Sequence, residues 1–518
     1  MASTSSLRQR RSEAQLHALA GVEREIRIND PNGRRKYLQD FSQAFRSYQS
    51  VIDRQQLSEG VHAADLLLIG DYHALPAAQR FAATLLEERA QPGDRPVVLG
   101  LETIFSRDQH ILDEWWRREI DAEELQQRIR FDLDWGYDWA PFYELLVTAR
   151  EHAEAIYGLD CMPREDLRKI GARDRHAVHK LAEIRQRHPG AVIIVLFGES
   201  HLAPGHLPKV LRERLPEERV LTVLQNVDPL YWRAAGEQHE QVEAVRVSDD
   251  VVCVFNSTPL EKYENYRLHL SRWGRTEEEG PDLAPTIYNL IDSLLRFLDI
   301  DRYSSSNGTQ PKFLVDLMPE VYCRASGTRL RQLLSRHHAS EEETEAMARH
   351  VEERGSVYLP QVNAFYVHEF KMMYAAEEAA RCLHHACRGL PARTKRNRGT
   401  PQDPSYFYAQ TVEYALGYFG SRVLYPARPA AEDAETREWT PEALESERRK
   451  TEASSQLLGY MLGNALYEAY LKGRITRGML RRLFLVQLDE TGKAKDAYRE
   501  IAAKVRGHGK KLPASVTR

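Results

Sequence analysis

Two stretches constrain this chain more than anything else in it. Asp65 to Ile69 and Ala191 to Phe197 are apolar runs of strand length, and each closes on Gly, a carboxylate, one further residue and a His. The endings are Gly70-Asp71-Tyr72-His73 and Gly198-Glu199-Ser200-His201. A continuous Val/Ile/Leu run of this length is the pattern of a strand buried on both faces, as in parallel α/β sheets. In such sheets functional groups collect beyond the carboxyl ends of the strands, where the chain turns towards a helix. A glycine lets the backbone turn there. The same device is therefore present twice, each time where a site belongs.

Other runs extend the pattern. Pro96 to Glu102, Ala155 to Asp160, Val220 to Leu224 and Val251 to Phe255 also read as strands, and two of them end in a carboxylate. Helical spacing fills about 76–90, 106–130, a segment up to His152, Pro163 to about Arg187, and about 206–213. Strands alternating with helices of this length imply βαβ units. The expected fold class is α/β, a mainly parallel sheet with flanking helices, followed by a mostly α-helical second domain. The helical part is marked by stripes at Ile287, Leu290, Ile291, Leu294, Leu295 and Leu298, and at Leu458, Met461, Leu462, Ala465, Leu466 and Ala469.

The expected boundaries are an N-terminal helical extension over 1–60, an α/β domain over 61–273 and a helical domain over 274–518. In the extension, Tyr37, Phe41, Phe45 and Tyr48 share helical spacing and can dock on the body. A charged, turn-rich linker falls at 275–281, a basic loop at 393–398 and an acidic, Pro/Ala-rich loop at 426–438. At 518 residues more than one core is the default, and no repeat of fixed period is present. A net charge of -4 gives no general attraction to nucleic acid or to anionic membrane. No apolar run approaches the ~20 residues of a membrane helix. No signal-like apolar stretch or lipid-accepting Cys stands near Met1, and the five cysteines form no CxxC pair. These features set the expectation of a reduced, cytoplasmic protein.

Six motifs in order resemble the ChaN family, the haem-binding uptake branch of the Tiki and TraB superfamily, over roughly residues 60–260. Gly70-Asp71-Tyr72-His73 is similar to the family's first Gly-Glu-x-His, with Asp71 in place of Glu, and Val97 to Glu102 to its apolar strand ending in Glu. Arg107-Asp108-Gln109 falls where the family has Arg/Asp-x-Gln, and the segment Trp135 to Tyr143 resembles its Gly-Trp-x-x-Tyr. Asp160-Cys161-Met162-Pro163-Arg164 resembles its Asn-x-Pro-Arg turn, with Asp160 where Asn is common, and Gly198 to His201 its second Gly-x-x-His. The resemblance implies a haem or iron ligand, with Tyr72, Tyr137 and Tyr143 as haem-binding candidates by residue type alone. Its Tiki branch implies metal-dependent peptidase chemistry instead. Residues 274–518 lie outside the resemblance.

If the strands are neighbours, His73, His201 and Glu102 converge above the sheet edge. Two imidazoles and one carboxylate are a facial set for Fe, Mn, Co or Zn, with positions left open for water or substrate. Asp71 and Glu199 then complete the shell, act as general base, or only cap the helices that follow. Arg107 or Arg164 is placed to stabilise an oxyanion or to bind a substrate carboxylate, and a Glu102–Arg107 salt bridge is the plainer reading of that pair. The segment Trp135 to Tyr143 reads as core before it reads as a ligand platform. His368-Glu369 and Cys382, His384, His385, Cys387 lack metal-site spacing. The primary reading is binding of haem or a divalent metal at the paired Gly-x-x-His strand ends; the alternative is metal-dependent hydrolysis of peptide or ester bonds, and a third is an interaction module whose ChaN-like domain is inactive and whose helical half binds a partner. Partners on these readings are a small-molecule or haem ligand, a protein bound by the helical domain, or a second copy of the chain; nucleic acid is not expected.

Overall fold

The computed structural model describes residues 4–30, 36–161, 170–238, 241–272, 282–302, 314–323, 327–335, 341–388, 404–430 and 452–505. The chain divides into two compact units, Glu25–Leu270 and Met1–Arg24 with Ser271–Arg518.

The first unit is built on an eight-stranded sheet. Its strands are β1 (Ser50–Ile52), β2 (Leu66–Asp71), β3 (Val97–Phe105), β4 (Ala155–Asp160), β5 (Val192–Gly198), β6 (Val220–Gln225), β7 (Ala244–Ser248) and β8 (Val251–Val254). Their order across the sheet is β1-β7-β8-β6-β2-β5-β3-β4. The run from β8 to β4 is parallel throughout. At one edge β7 runs antiparallel to both its neighbours, β1 and β8. Strands β1 and β7 are the ones that the apolar pattern does not announce. Three to five residues carry too few positions for a period to show.

The two-faced burial expected of the apolar runs is present. Leu67, Ile69, Ile194 and Leu196 pack under the helices Pro76–Arg89, Gln109–Trp116 and Trp139–His152. Leu66, Leu68, Ile193 and Val195 pack on the other face against Lys36–Ala44, Ile170–Arg187 and Leu207–Arg214. Phe41 and Phe45 dock there as their spacing implied, with ring centroids 5.1 Å apart. Strands β2 and β5 are neighbours, and the helices that follow them go to opposite faces of the sheet. That arrangement is a topological switch point, and it opens a crevice at the carboxyl ends of these two strands.

The second unit is largely helical, and both expected stripes are buried except at half-buried Ala465, in the helices Ala284–Leu298 and Glu452–Leu471. It also contains a small sheet of β9 (Glu320–Cys323), β10 (Ser356–Leu359) and β11 (Ala364–Val367), in the order β10-β11-β9. Strands of four residues escape a periodicity argument, and only the Pro360 to Asn363 turn, with Asn363 left-handed at φ 48°, punctuates them. His384 is buried with Nδ1 3.0 Å from the Phe484 carbonyl, and His385 pairs with Glu413 at 2.9 Å. The expected linker and basic loop fall outside the described residues, as does the acidic loop beyond residue 430. Among the described residues no helix is long and apolar enough to cross a membrane.

One glycine marks how tightly the sheet edge is built. Strands β3 and β4 change register between Leu101 and Phe105. There a Cβ on Gly158 would lie 2.7 Å from the Ile104 carbonyl oxygen and 2.8 Å from that of Phe105. Backbone cannot yield as a flexible side chain can. Gly158→Ala is expected to destabilise this unit by roughly 1–3 kcal/mol, read as a lower denaturation midpoint.

Candidate functional site

Strand β2 ends at Asp71, and the turn closed by the Leu75 N–H on the Tyr72 carbonyl carries His73 into the crevice. Strand β5 ends at Gly198, and the single helical turn Glu199–Leu202 that follows carries His201. Asp71 and Gly198 are partners in the ladder, so the two motifs lie side by side. On the far side of β5, strand β3 supplies Glu102. His73 Nε2 lies 3.6 Å from one Glu102 oxygen and His201 Nε2 lies 3.5 Å from the other. The two imidazoles thus flank Glu102, one on each of its oxygens. The space at their centre exists because residue 198 is a glycine: a Cβ there would stand 2.9 Å from Glu102 Oε2, 3.3 Å from His73 Nε2 and 3.6 Å from His201 Cδ2.

Each imidazole is fixed through its other nitrogen. His73 Nδ1 lies 2.7 Å from Asp71 Oδ2, and Gln79 donates to the second Asp71 oxygen. His201 Nδ1 lies 2.5 Å from Asp174 Oδ1. A carboxylate on Nδ1 sets the ring's tautomer and aim and leaves Nε2 as the working nitrogen. Glu102 is held in turn by the Arg173 guanidinium at 2.5 Å and by the Gly198 N–H. Arg173 spans to Asp160 through two further bonds of 3.0 and 2.7 Å. Burial alone would push the Glu102 carboxyl up, yet His201, Arg173, His73 and the Gly198 N–H bring it down to about 2. Asp71, Glu102, Asp160 and Asp174 are all buried, against the single buried guanidinium of Arg173.

A second cluster flanks the first. Lys262, from the helix Pro259–Arg272, lies 2.9 and 3.0 Å from the two Glu199 oxygens and 4.5 Å from the centre of the Tyr72 ring. Burial works against the lysine's charge, but Glu199 and Asp228 hold it above its ordinary value. Burial also pushes the Glu199 carboxyl up against the pull of Lys262. Glu199 is therefore engaged with Lys262 rather than directed at the imidazoles. The Tyr72 phenol is driven well up by burial, Tyr263 and Glu199, which keeps it protonated.

The other expected site residues are dispersed. Arg107 is more than half exposed, lies over the Phe105 ring and pairs with Asp108 at 3.6 Å; Arg173 takes the place beside Glu102. Arg164 lies outside the described residues. Tyr143 packs against Trp115 and Trp139, at 5.9 and 5.7 Å between centroids. Tyr137 is the tyrosine that meets the site, 5.3 Å from His73 and stacked at 4.2 Å on His269. Trp135 and Phe142 complete the wall around His73, at 5.2 and 6.4 Å. The aromatic segment is thus core on one side and lining on the other. Arg173, Asp174, Gln79 and Lys262 were not singled out from the sequence. Their signal is positional: Arg173 and Asp174 continue the buried stripe Ala177, Val178, Leu181 of their helix, and Gln79 continues Ala82, Leu85, Leu86 of its own. A charged or amide side chain in apolar register is a reason to look for a buried partner.

As placed, the two Nε2 atoms face different oxygens of Glu102, and both oxygens are already engaged, so the donors do not converge on one point. Among the described residues no group of three or more His, Cys, Asp or Glu could hold a metal ion. For haem, the expected tyrosines do not gather: Tyr72 faces Lys262, Tyr143 faces tryptophans, and only Tyr137 reaches His73. A surface depression of about 650 Å³ is lined by Arg54, Ser58, Glu87, Glu88 and neighbours, none of them an expected site residue.

Fold and site together define an α/β protein with a carboxylate-bound pair of histidines at a sheet switch point. Residues 57–201 match the family model described as "Haem-binding uptake, Tiki superfamily, ChaN", which places this central region in the ChaN/Tiki haem-binding superfamily as a distant match. A solved structure, "Cofacial heme binding to ChaN of Campylobacter jejuni", is 15% identical over 34% of this chain and 86% of its own, with a TM-score of 0.26. No curated protein matches.

Two stability outcomes follow from the charge arrangement. Removing Arg173 leaves Glu102 and Asp160 buried without their cation, so Arg173→Ala should cost about 3–5 kcal/mol. Arg107→Ala should stay within about 0.5 kcal/mol. Denaturant midpoints distinguish the two. Glu102 titrates near 4.5 when unfolded and at about 2 when folded. Its contribution is therefore complete above pH 4.5 and is lost as pH falls from there towards 2. Glu102→Gln should flatten the acid limb of the stability curve across that window.

Proposed function

We propose that the unit Glu25–Leu270 is an acid–base hydrolase of small ester or amide substrates, with His73 as the group that meets the substrate. The observation that carries this reading is the shared carboxylate: two imidazoles, each oriented through Nδ1 by its own aspartate, both present Nε2 to Glu102. His73 stands at the mouth, its side chain 12% exposed against 4% for His201. In the proposed reaction, His73 Nε2 takes a proton from water as the water oxygen attacks the substrate carbonyl. It then returns that proton to the leaving alkoxide or amine, so that each turnover consumes one water. Asp71 holds the ring and stabilises the imidazolium as it forms. Trp135, Tyr137 and Phe142 offer an apolar wall for the acyl or leaving group.

The test is turnover of chromogenic ester and anilide probes by the full chain. Hydrolysis above the buffer rate is expected, with kcat/KM reduced about 10²–10⁴-fold in His73→Ala and unchanged in Arg107→Ala. Failure to turn over any ester, thioester or anilide would overturn the reading.

The family match favours a second reading, in which the same face binds haem without turnover, at Tyr137 and His73. Haemin titration is then expected to give a saturable Soret shift that Tyr137→Phe weakens. Elemental analysis of wild type beside a His73→Ala/His201→Ala double variant shows whether a divalent metal joins the site instead.

A further inference from the structure

The buried histidine has a back door. His201 is 3% exposed, and its Nε2 lies 3.5 Å from Glu102. Its Nδ1 partner, Asp174, has a second oxygen, and that oxygen does not point into the site. It faces His206 Nδ1 at 3.7 Å. His206 lies in the turn before the helix Leu207–Arg214, and its Nε2 is 3.6 Å from Asp40 of the helix Lys36–Ala44. Exposure rises outward along this row: the Asp174 side chain is 2% exposed, that of His206 17%, and that of Asp40 42%. Imidazoles and carboxylates thus alternate from solvent on the Lys36–Ala44 face to the centre of the site, in the order Asp40, His206, Asp174, His201, Glu102. The charged groups facing Asp174 are His201, His206 and, on its own helix, Arg173, whose guanidinium is turned to Glu102 and Asp160.

We propose that His206 and Asp174 form a proton-exchange path that connects the buried His201 with solvent on the side of the sheet away from the substrate mouth. When His201 gains a proton at Nε2 from the site, it releases its Nδ1 proton to Asp174. Asp174 passes that proton to His206 Nδ1, and His206 gives up its Nε2 proton to water or to Asp40; the reverse sequence carries a proton inward. Each group ends with the charge it began with when a proton leaves at the far end. Gaps of 3.6–3.7 Å exceed a hydrogen bond, and a shift of roughly 1 Å or one bridging water closes them. Asp174 and His206 are positioning residues: they touch no substrate. For the hydrolase reading, the path resets the charge around Glu102 between turnovers without using the mouth while it is occupied. The proposal rests on that reading only for its purpose, not for its existence.

The test is the exchange of ring N–H protons with water, followed by NMR in the full chain labelled at histidine, with His201 assigned by its own substitution. His206→Gln is expected to slow exchange at His201 at least ~10-fold without lowering the unfolding midpoint, and added free imidazole to restore it. His188→Gln, on a ring that bonds Tyr157 and Glu154 instead, should leave exchange unchanged. Asp174→Asn should slow exchange as His206→Gln does. Unaltered exchange in His206→Gln, or no recovery with imidazole, would overturn the path. The readout needs no substrate, so a protein inert to every ester probe would remove the hydrolase reading while the exchange result still decides the path.

Discussion

Glu102 is a buried carboxylate on a parallel strand, and the unit is arranged around the need to keep it ionised there. An unpaired buried carboxylate would take up a proton instead of its charge. Each group that prevents this comes from a different part of the chain: Arg173 from a helix, the Gly198 N–H from the end of β5, and His73 and His201 from the two turns. The Arg173 guanidinium has more N–H donors than Glu102 accepts in that geometry, and Asp160 at the end of β4 takes two of the others. One buried acid thus fixes the position of a helix, two strand ends and two turns. A buried pair of this kind is weak evidence of stability in itself but strong evidence that the arrangement is specified.

The order of the strands makes this possible. In the chain β2 is followed by β3 and β4, and β5 then returns to insert between β2 and β3. A sheet that simply added strands in sequence would place the two Gly-carboxylate-x-His turns three strands apart, roughly 14 Å at the usual spacing. Insertion brings them next to each other and leaves Glu102 one strand away from His201. Because the helices after β2 and β5 leave on opposite faces, neither covers the crevice.

The strand ends were legible because their information is local. An apolar run, a glycine and a polar terminus are contiguous, and the carboxyl end of a buried strand has a known use. His73, Glu102 and His201 could therefore be named together. Arg107 was the nearest arginine in sequence to Glu102, but the short helical turn Ser106–Asp108 carries it outwards, and Arg173 arrives from 71 residues away. Proximity along the chain favoured the wrong cation, since a helix packed across the sheet delivers its buried face to a strand end wherever it occurs in the sequence. Glu199 and Tyr72 were misleading in another way. Both sit inside the motifs, but each points to the side of the crevice occupied by Lys262, a residue outside the motifs and 63 positions beyond Glu199. The short strands β1, β7 and β9 to β11 were not legible, because runs of three to five residues do not establish a period.

The two histidines look equivalent in sequence and are not equivalent in the structure. His73 is bound by an aspartate whose remaining oxygen is closed off by a buried glutamine, so nothing leads outward from Asp71. His201 is bound by an aspartate whose remaining oxygen opens towards another histidine. Mouth and back are thereby separated. The imidazole with solvent and aromatic rings around it has a sealed support, and the imidazole without solvent has an open one. A symmetrical pair of ligands would need the same environment twice, whereas groups that pass protons in one direction need different environments at their two ends. The difference between Gln79 behind Asp71 and His206 behind Asp174 is the feature that distinguishes these two uses of the same residue pair.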